Sequence, residues 1–437
     1  MLKVLKFGGS SLADAEQFKK VASIIKAEKE RRYIVASAPG KRFAEDTKVT
    51  DMLLEAFECS YDADARENCL NKIEERYNDI INGLGCDFSL KEDFDSIRNA
   101  FKNHPGRDFF ASRGEYLNAK ILAHYLGYAF VDAGSCILFK ENGKLDSKKT
   151  YEYVEKALSK YEYAVIPGFY GSMPNGTIKT FSRGGSDITG SIVARAMNAD
   201  IYENWTDVSG LLMVDPRIVE NPKNVQEITY RELRELSYMG ATVLHEDAIF
   251  PVRKVGIPIN IKNTNAPEDS GTMIVEKSTT ISSEYTITGV AGTAGFTAIY
   301  IEKDKMNAEV GFTRKVLETL ENHNICFEHL PSGIDTMSIV LKSDDIKEFK
   351  GKITAEIVKS VEPDSITLVE NLALIAVVGR GMINAAGTAA KVFSALSEKN
   401  INIRMIDQGS SELNIIIAVD EKNYKEAIKA IYNKFVS

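Results

Sequence analysis

The stretch VGFTRKVLETLENHNI, which begins at Val310, is echoed by AGTAAKVFSALSEKNI, which begins at Ala386. Gly311 answers to Gly387, Lys315 to Lys391, Val316 to Val392 and Asn324-Ile325 to Asn400-Ile401, all 76 positions apart. Each copy reads as strand, glycine loop, helix and strand, and each runs on into an apolar strand, SIVL at Ser338 and NIII at Asn414. One supersecondary unit has been used twice. The tail is therefore built of two α+β units, and the longer N-terminal part of the chain must be a different fold.

That longer part alternates. Leu2, Val4, Leu5 and Phe7 suggest a short buried strand, and a helix is expected over 13–30 with Phe18, Val21, Ala22, Ile24 and Ile25 on one face. A second strand at 33–38 is stopped by Pro39-Gly40. The text from 51 to 126 is helical and highly charged, and its NCLNKIEERYNDIINGLG reads as an amphipathic packing helix. Strands return at 163–167, 201–205 and 258–262. The pattern, held to about residue 280, predicts a mostly parallel α/β sheet.

The five cysteines form no CxxC pair and read as reduced thiols of a cytoplasmic protein. The five histidines show no HExxH spacing, so any metal should arrive with a substrate. A formal net charge of −8 argues against nucleic-acid or anionic-membrane partners. No apolar run approaches the roughly 20 residues needed to span a bilayer.

Several motifs could carry chemistry. KFGGSS at 6–11 ends the first strand. Gly8 and Gly9 let backbone N–H groups approach anionic oxygens, and Lys6 adds a full charge, which suits a polyphosphate. A glycine turn with a surface lysine would look similar, and no GxxxxGK[ST] loop occurs. In FSRGGSD at 181–187, Arg183 can grip a carboxylate or phosphate with two N–H groups, and Asp187 can orient a lysine or hold Mg²⁺. Ser186 or Asp187 would equally serve as a helix N-cap. SRGE at 112–115 places Glu115 at a helix start, usually only a capping position. TDVSG at 206–210 and DPR at 215–217 follow a strand, where open α/β sheets hold ligands, and offer Asp207 and Arg217. GRGM at 379–382 lacks the third glycine of a dinucleotide loop, Asn384 standing in its place.

In this order, with KVTDML at 48–53 and KNT at 262–264, the motifs resemble the aspartate kinase family, and the duplicated tail resembles its paired ACT domains. SAPGKR at 37–42 and PSGID at 331–335 look like the monofunctional bacterial subgroup. The resemblance implies an amino-acid kinase fold, an open, mostly parallel sheet between helices, over 1–282. Two ferredoxin-like α+β ACT regions, 283–370 and 371–437, would follow, with the strand at 286–291 assignable to either. The implied reaction moves the γ-phosphoryl of ATP, carried with Mg²⁺, to the β-carboxylate of L-aspartate, the first step toward lysine, threonine and methionine.

Carried over residue by residue, Lys6 would bridge donor and acceptor oxygens and Asp187 would orient it. Arg183 would hold the α-carboxylate of aspartate and Glu115 its α-ammonium, with Ser37, Thr50 and Ser186 also on the substrate. Gly8, Gly9 and Ser10 would line the phosphate path, and Thr206, Asp207 and Arg217 would face the nucleotide. The chain departs from the family at Ser10, usually threonine, and at Leu212, often aromatic. Thr242 stands where a lysine is usual and Glu246 where a proline is, leaving Lys254, Lys262 or Arg217 to compensate.

The resemblance also implies feedback inhibition by lysine, with threonine alongside it, in a homodimer or homotetramer joined through the ACT domains. The loop before the first repeat's helix holds Met306, Gly311 and Phe312, and open N–H groups at Gly311 suit an effector carboxylate. Glu328, expected on the next strand, or Asp335 in the following turn could pair with an ε-ammonium. Arg404 stands 76 positions after Glu328 and would repel one, so lysine is assigned to the first repeat. The plainer alternative leaves Glu328 a solvated carboxylate. Two other functions compete: a kinase acting on glutamate, acetylglutamate or a nucleotide, and an amino-acid sensor with a weakened kinase domain, which Thr242 alone favours.

Overall fold

The strand Lys3–Phe7 lies inside an eight-stranded sheet in the computed structural model, which describes residues 1–103, 106–182, 184–240, 244, 246–278 and 285–436. The sheet order is Glu227–Thr229, Thr272–Val275, Ile259–Asn263, Ile201–Thr206, Lys3–Phe7, Arg31–Ala36, Ala164–Pro167 and Ala129–Phe130. All neighbours are parallel except Ile259–Asn263 with Thr272–Val275. Phe7 is level with Ala36 and Trp205, Ala36 with Pro167, and Thr206 with Asn263. Five strands therefore finish along one edge, and the loops after them share it, the place where open parallel sheets hold ligands.

Successive residues of a strand face opposite ways. Leu5, Phe7, Glu203 and Trp205 share one face, with Phe18, Val21 and Ile25 of the helix Ala15–Lys26 in the same core cluster. Phe7 stacks on Trp205 with ring centroids 5.9 Å apart. The same face buries an ion cluster. Arg31 Nε and Nη2 donate to Glu203 at 2.9 and 3.3 Å, Trp205 Nε1 donates to it at 2.9 Å, and Lys3 Nζ lies 3.2 Å away. The helix expected over 13–30 is shorter, because Asp14 caps it by accepting the Gln17 N–H at 2.9 Å.

The chain separates into two compact units, and no single cut divides them. The first holds Met1–Leu211, Asn224–Tyr230 and Thr242–Ser278; the second holds Leu212–Lys223, Arg231–Ala241 and Thr279–Ser437. The second unit is built on a five-stranded antiparallel sheet in the order Thr336–Lys342, Gly289–Glu302, Ser365–Val378, Asn414–Asp420 and Ile403–Asp407. Of the strand expected at 286–291, residues 289–291 open the long strand Gly289–Glu302, and 286–288 lie outside it. Residues 289–294 of that strand pair with 373–378, while 296–302 pair with both 336–342 and the earlier part of Ser365–Val378.

Around the first repeat's helix Phe312–Asn322, Ile299, Ile301, Val316, Leu320, Ile339 and Ile353 form a core that also takes in Met306 and Phe312. Glu328, expected within a strand, lies outside one; its N–H donates to Val340 O at 2.8 Å beside an isolated bridge at His329. The GRGM stretch is a packing device. A Cβ on Gly379 or Gly381 would come within 2.7 and 2.6 Å of backbone at Ile287 and Thr286, and Arg380 pairs with buried Glu232 at 3.1 Å. Among the described residues no helix is long and apolar enough to cross a membrane.

Because Glu203 shares with Glu28 the charges of buried Arg31 and half-buried Lys3, Glu203→Gln should lower unfolding stability by about 3 kcal/mol. Urea unfolding followed through Trp205, the one tryptophan in the sequence, reads the change directly, and an unmoved midpoint would show that the cluster contributes nothing.

Candidate active site

Lys6 points away from the Phe7 face, toward the helix Gly185–Ala196. Gly184, in the left-handed region at φ 63°, is that helix's N-cap, which removes the alternative that Ser186 or Asp187 serves only as a cap. Asp187 is thereby free of capping, and its Oδ1 sits 2.6 Å from Lys6 Nζ. The same oxygen accepts the Asn204 side-chain N–H at 2.8 Å. Lys6 is 8% exposed, so a nearly dry ammonium stands at the strand edge beside the glycine loop.

That loop is held backbone against backbone. Gly40 N–H donates to Gly9 O at 2.8 Å, and a Cβ on Gly9 would stand 2.9 Å from Ala38 O. Gly8 N–H donates to Trp205 O at 2.9 Å. Among the described residues, the N–H groups of Gly9 and Ser10 find no protein acceptor, which leaves them for an anion. The helix that follows does not offer its N-terminal end here: a short 3₁₀ turn, Ser10–Leu12, intervenes, and Asp14 caps the helix behind it.

The loop carrying SAPGKR is fixed from a distance. Arg76, in the middle of the helix Ala63–Leu84, donates to Gly40 O and, at 2.6 Å, to Thr47 O. It also lies 3.3 Å from Asp46, whose carboxyl is held well below the usual range by Arg42 first and Arg76 after it. The helix read as a solvated packing element thus supplies a buried clamp.

Glu115, expected at a helix start, lies well inside the helix Arg107–Leu126, which begins two turns earlier and approaches so closely at Gly114 that a Cβ there would stand 2.7 Å from Ala38 Cβ. Burial pushes the Glu115 carboxyl up to about 8, against hydrogen bonds from the backbone of Ala38 and of Glu115 itself. Its Oε2 is buried without a partner. A buried, unpartnered carboxylate is costly unless a cation or donor arrives. Ser37 is buried nearby, its carbonyl accepting from Asn118 Nδ2 at 2.7 Å, and Thr50 sits in the first turn of Val49–Glu58. Ser186 is buried against Gly168.

Sequence reasoning missed Phe169, whose φ of 79° is left-handed. Such strain costs about 1–3 kcal/mol in a non-glycine residue and concentrates at functional sites. Phe169 follows directly on Gly168, in the loop after the strand Ala164–Pro167, and Gly185 leaves room for it: a Cβ there would stand 2.5 Å from its ring.

The remaining residues divide. Thr206 donates to the exposed Asp207 carboxylate at 3.1 Å at the end of their strand. Arg217 belongs to the other compact unit, where it pairs with Asp215 at 2.6 Å. Arg183 and Thr242 lie outside the described residues. Lys262 cannot stand in at Lys6's side of the sheet: it is level with Trp205, lies over that ring at 5.3 Å and donates to Asp269 O at 2.8 Å. Lys254 lies over Phe250. In the second unit, Gly311 has φ 84° and precedes its helix without a side-chain cap. Glu328 accepts the Tyr238 hydroxyl and lies 3.5 Å from Lys342, and Asp335 accepts the Lys305 N–H at 2.8 Å.

Comparison with known proteins agrees with this geometry. The amino acid kinase family profile matches residues 1–263 and an ACT domain profile matches residues 375–435. The chain is 39% identical to Aspartokinase 3 of Bacillus subtilis over 99% of its own length and 98% of that protein's. The crystal structure of Clostridium acetobutylicum aspartate kinase, described as an allosteric enzyme, is 51% identical with a TM-score of 0.93, covering 99% of this chain and 100% of that one. E. coli aspartokinase III, solved with aspartate and ADP, superposes with a TM-score of 0.74 over 99% of both chains; at 23% identity it speaks for the fold. An ammonium and carboxylate poised beside a glycine loop, on a chain alike from end to end, make this protein a member of the aspartate kinase family.

Proposed function

We propose that the chain transfers the γ-phosphoryl group of ATP to the β-carboxylate of L-aspartate, giving 4-phospho-L-aspartate. The observation that carries this reading is the Lys6–Asp187 pair, nearly dry and at the edge where five strands end. Phosphoryl transfer between two oxygens needs no protein nucleophile; it needs positioning and charge. Lys6, anchored through one carboxylate oxygen, keeps other N–H groups for donor and acceptor oxygens. The free N–H groups of Gly9 and Ser10 suit phosphate, with Gly8 shaping the path.

Arg183 is assigned to the α-carboxylate of aspartate and Glu115 to its α-ammonium, with Ser37, Thr50 and Ser186 hydrogen-bonding the substrate. Thr206 and Asp207 are assigned to the nucleotide; Arg217, expected beside them, belongs to the other compact unit. Mg²⁺ is assigned to the phosphate oxygens of ATP, which carry most of its ligands. The exposed Asp207 carboxylate offers it one hard oxygen, and the ion would offset phosphate charge. Residues 1–282 form the catalytic region in this reading, and 283–370 with 371–437 the regulatory pair.

Hydroxylamine should trap an acyl phosphate when ATP is supplied with aspartate and not with glutamate; no hydroxamate with aspartate sinks the proposal. Lys6→Ala should lower kcat by about 10³-fold while the protein stays folded. Undiminished turnover in that variant would remove Lys6 from the chemistry.

Glu115 supplies a pH test. Its carboxyl, raised to about 8, is mostly protonated at pH 7 and becomes an anion when an ammonium arrives. Aspartate binding at pH 7 should therefore release up to about one proton, and the release should fade above about pH 9, where the free enzyme is already ionised. Calorimetry in two buffers of different ionisation enthalpy measures it. Glu115→Gln should abolish it, and proton release unaltered in that variant would exclude the role.

For regulation, lysine is assigned to the first repeat, with threonine alongside it, acting between paired copies of the chain. Its ε-ammonium would compete for Glu328, now held by Tyr238 and Lys342. Glu328→Ala should raise the half-inhibitory lysine concentration by about tenfold or more. Lysine sensitivity unaltered from the parent in both Glu328→Ala and Asp335→Ala would show that the pocket lies elsewhere.

A further inference from the structure

We infer that Asn204 is a positioning residue for phosphoryl transfer: it holds the Asp187 carboxylate in place while Lys6 turns its ammonium toward the reacting oxygens. This rests on the reading of Lys6 and Asp187 given above.

Asn204 sits directly beside Lys6 on the neighbouring strand, and the two share a face. It is 3% exposed, in a strand interior where asparagine is uncommon and a buried amide is costly unless hydrogen-bonded. Its Nδ2 donates to Asp187 Oδ1 at 2.8 Å, the same oxygen that lies 2.6 Å from Lys6 Nζ. Two residues back on the same face, the Tyr202 hydroxyl donates to the Asp187 backbone carbonyl at 3.2 Å and lies 3.4 Å from Asn204 Nδ2. Gly190 lets the helix come this close, since a Cβ there would stand 2.4 Å from the Tyr202 hydroxyl. The strand thus grips Asp187 at its backbone and at its carboxylate.

The type of residue matters. If Lys6 alone held Asp187, the carboxylate would follow the ammonium whenever it moved. A second donor from a rigid strand pins the carboxylate independently. That donor must be neutral. A cation at 204 would take the carboxylate from Lys6, and an anion would divide the ammonium between two partners. An amide is small, uncharged and able to donate, and it satisfies all three requirements.

The experiment compares Asn204→Leu, which keeps the size and loses the donor, with Asn204→Asp, which keeps the shape and adds a charge. Asn204→Leu should lower kcat about 10- to 100-fold and leave the KM values for aspartate and ATP nearly unchanged, as for an interaction that matters in the transition state. In an Asp187→Ala background the same change should have no further effect on kcat. Asn204→Asp should be slow at pH 7 and recover relative to the parent as pH falls through about 5–6, where the added carboxyl protonates and donates again.

Parent-like kcat in folded Asn204→Leu, or an equal further loss without Asp187, overturns the inference. If Asn204→Leu fails to fold, a flat pH ratio between Asn204→Asp and the parent overturns it alone. Full turnover in Lys6→Ala overturns the reading of the site as well, whereas a slow Lys6→Ala with an unaffected Asn204→Leu removes Asn204 only.

Discussion

The two-residue period of a β-strand is the constraint on which the first unit rests. Lys6 and Phe7 are consecutive, so they must face opposite ways, and the neighbouring pair Asn204 and Trp205 repeats the division. One face is dry: Phe7 and Trp205 stack there, and Glu203 ties Arg31 and Lys3 together across three adjacent strands. A slip of one residue would exchange the two faces. The buried ion cluster therefore fixes the register that aligns Lys6 and Asn204 with Asp187 on the other side.

Around that alignment the chain uses absence of side chains to bring polar backbone together. Gly9 against Gly40 and Gly114 against Ala38 draw three loops and helices to one edge. The cost falls on Glu115, driven into a setting where it prefers its proton and where one oxygen has no partner. In the role proposed for it, a carboxyl kept neutral until a cation arrives would select for a substrate that carries its own positive charge.

What the sequence disclosed followed from local spacing. KFGGSS and SRGGSD pointed to Lys6 and Asp187, and the 76-residue echo announced the duplicated tail, whereas Glu115 was singled out only through the family resemblance. What it concealed depended on partners far along the chain. Asn204 is meaningful only because it is level with Lys6, and Arg76 only because a helix brings it to Gly40 and Thr47. Phe169 carries no local mark of its left-handed backbone. The plainer alternative for Ser186 or Asp187, a helix cap, fails because Gly184 fills that place. Lys262 was a reasonable substitute cation until its register put it on the dry face.

The tail also departs from what a repeated motif suggests. Two copies of one unit invite the image of two beads, yet Gly289–Glu302 and Ser365–Val378 each run for 14 residues through both. The two repeats are spliced like planks that share a beam. Neither can be excised or exchanged as a module, because any cut between them severs a strand that the other needs. A tilt in one half must bend the common timber, so an event at either end is felt along its whole span.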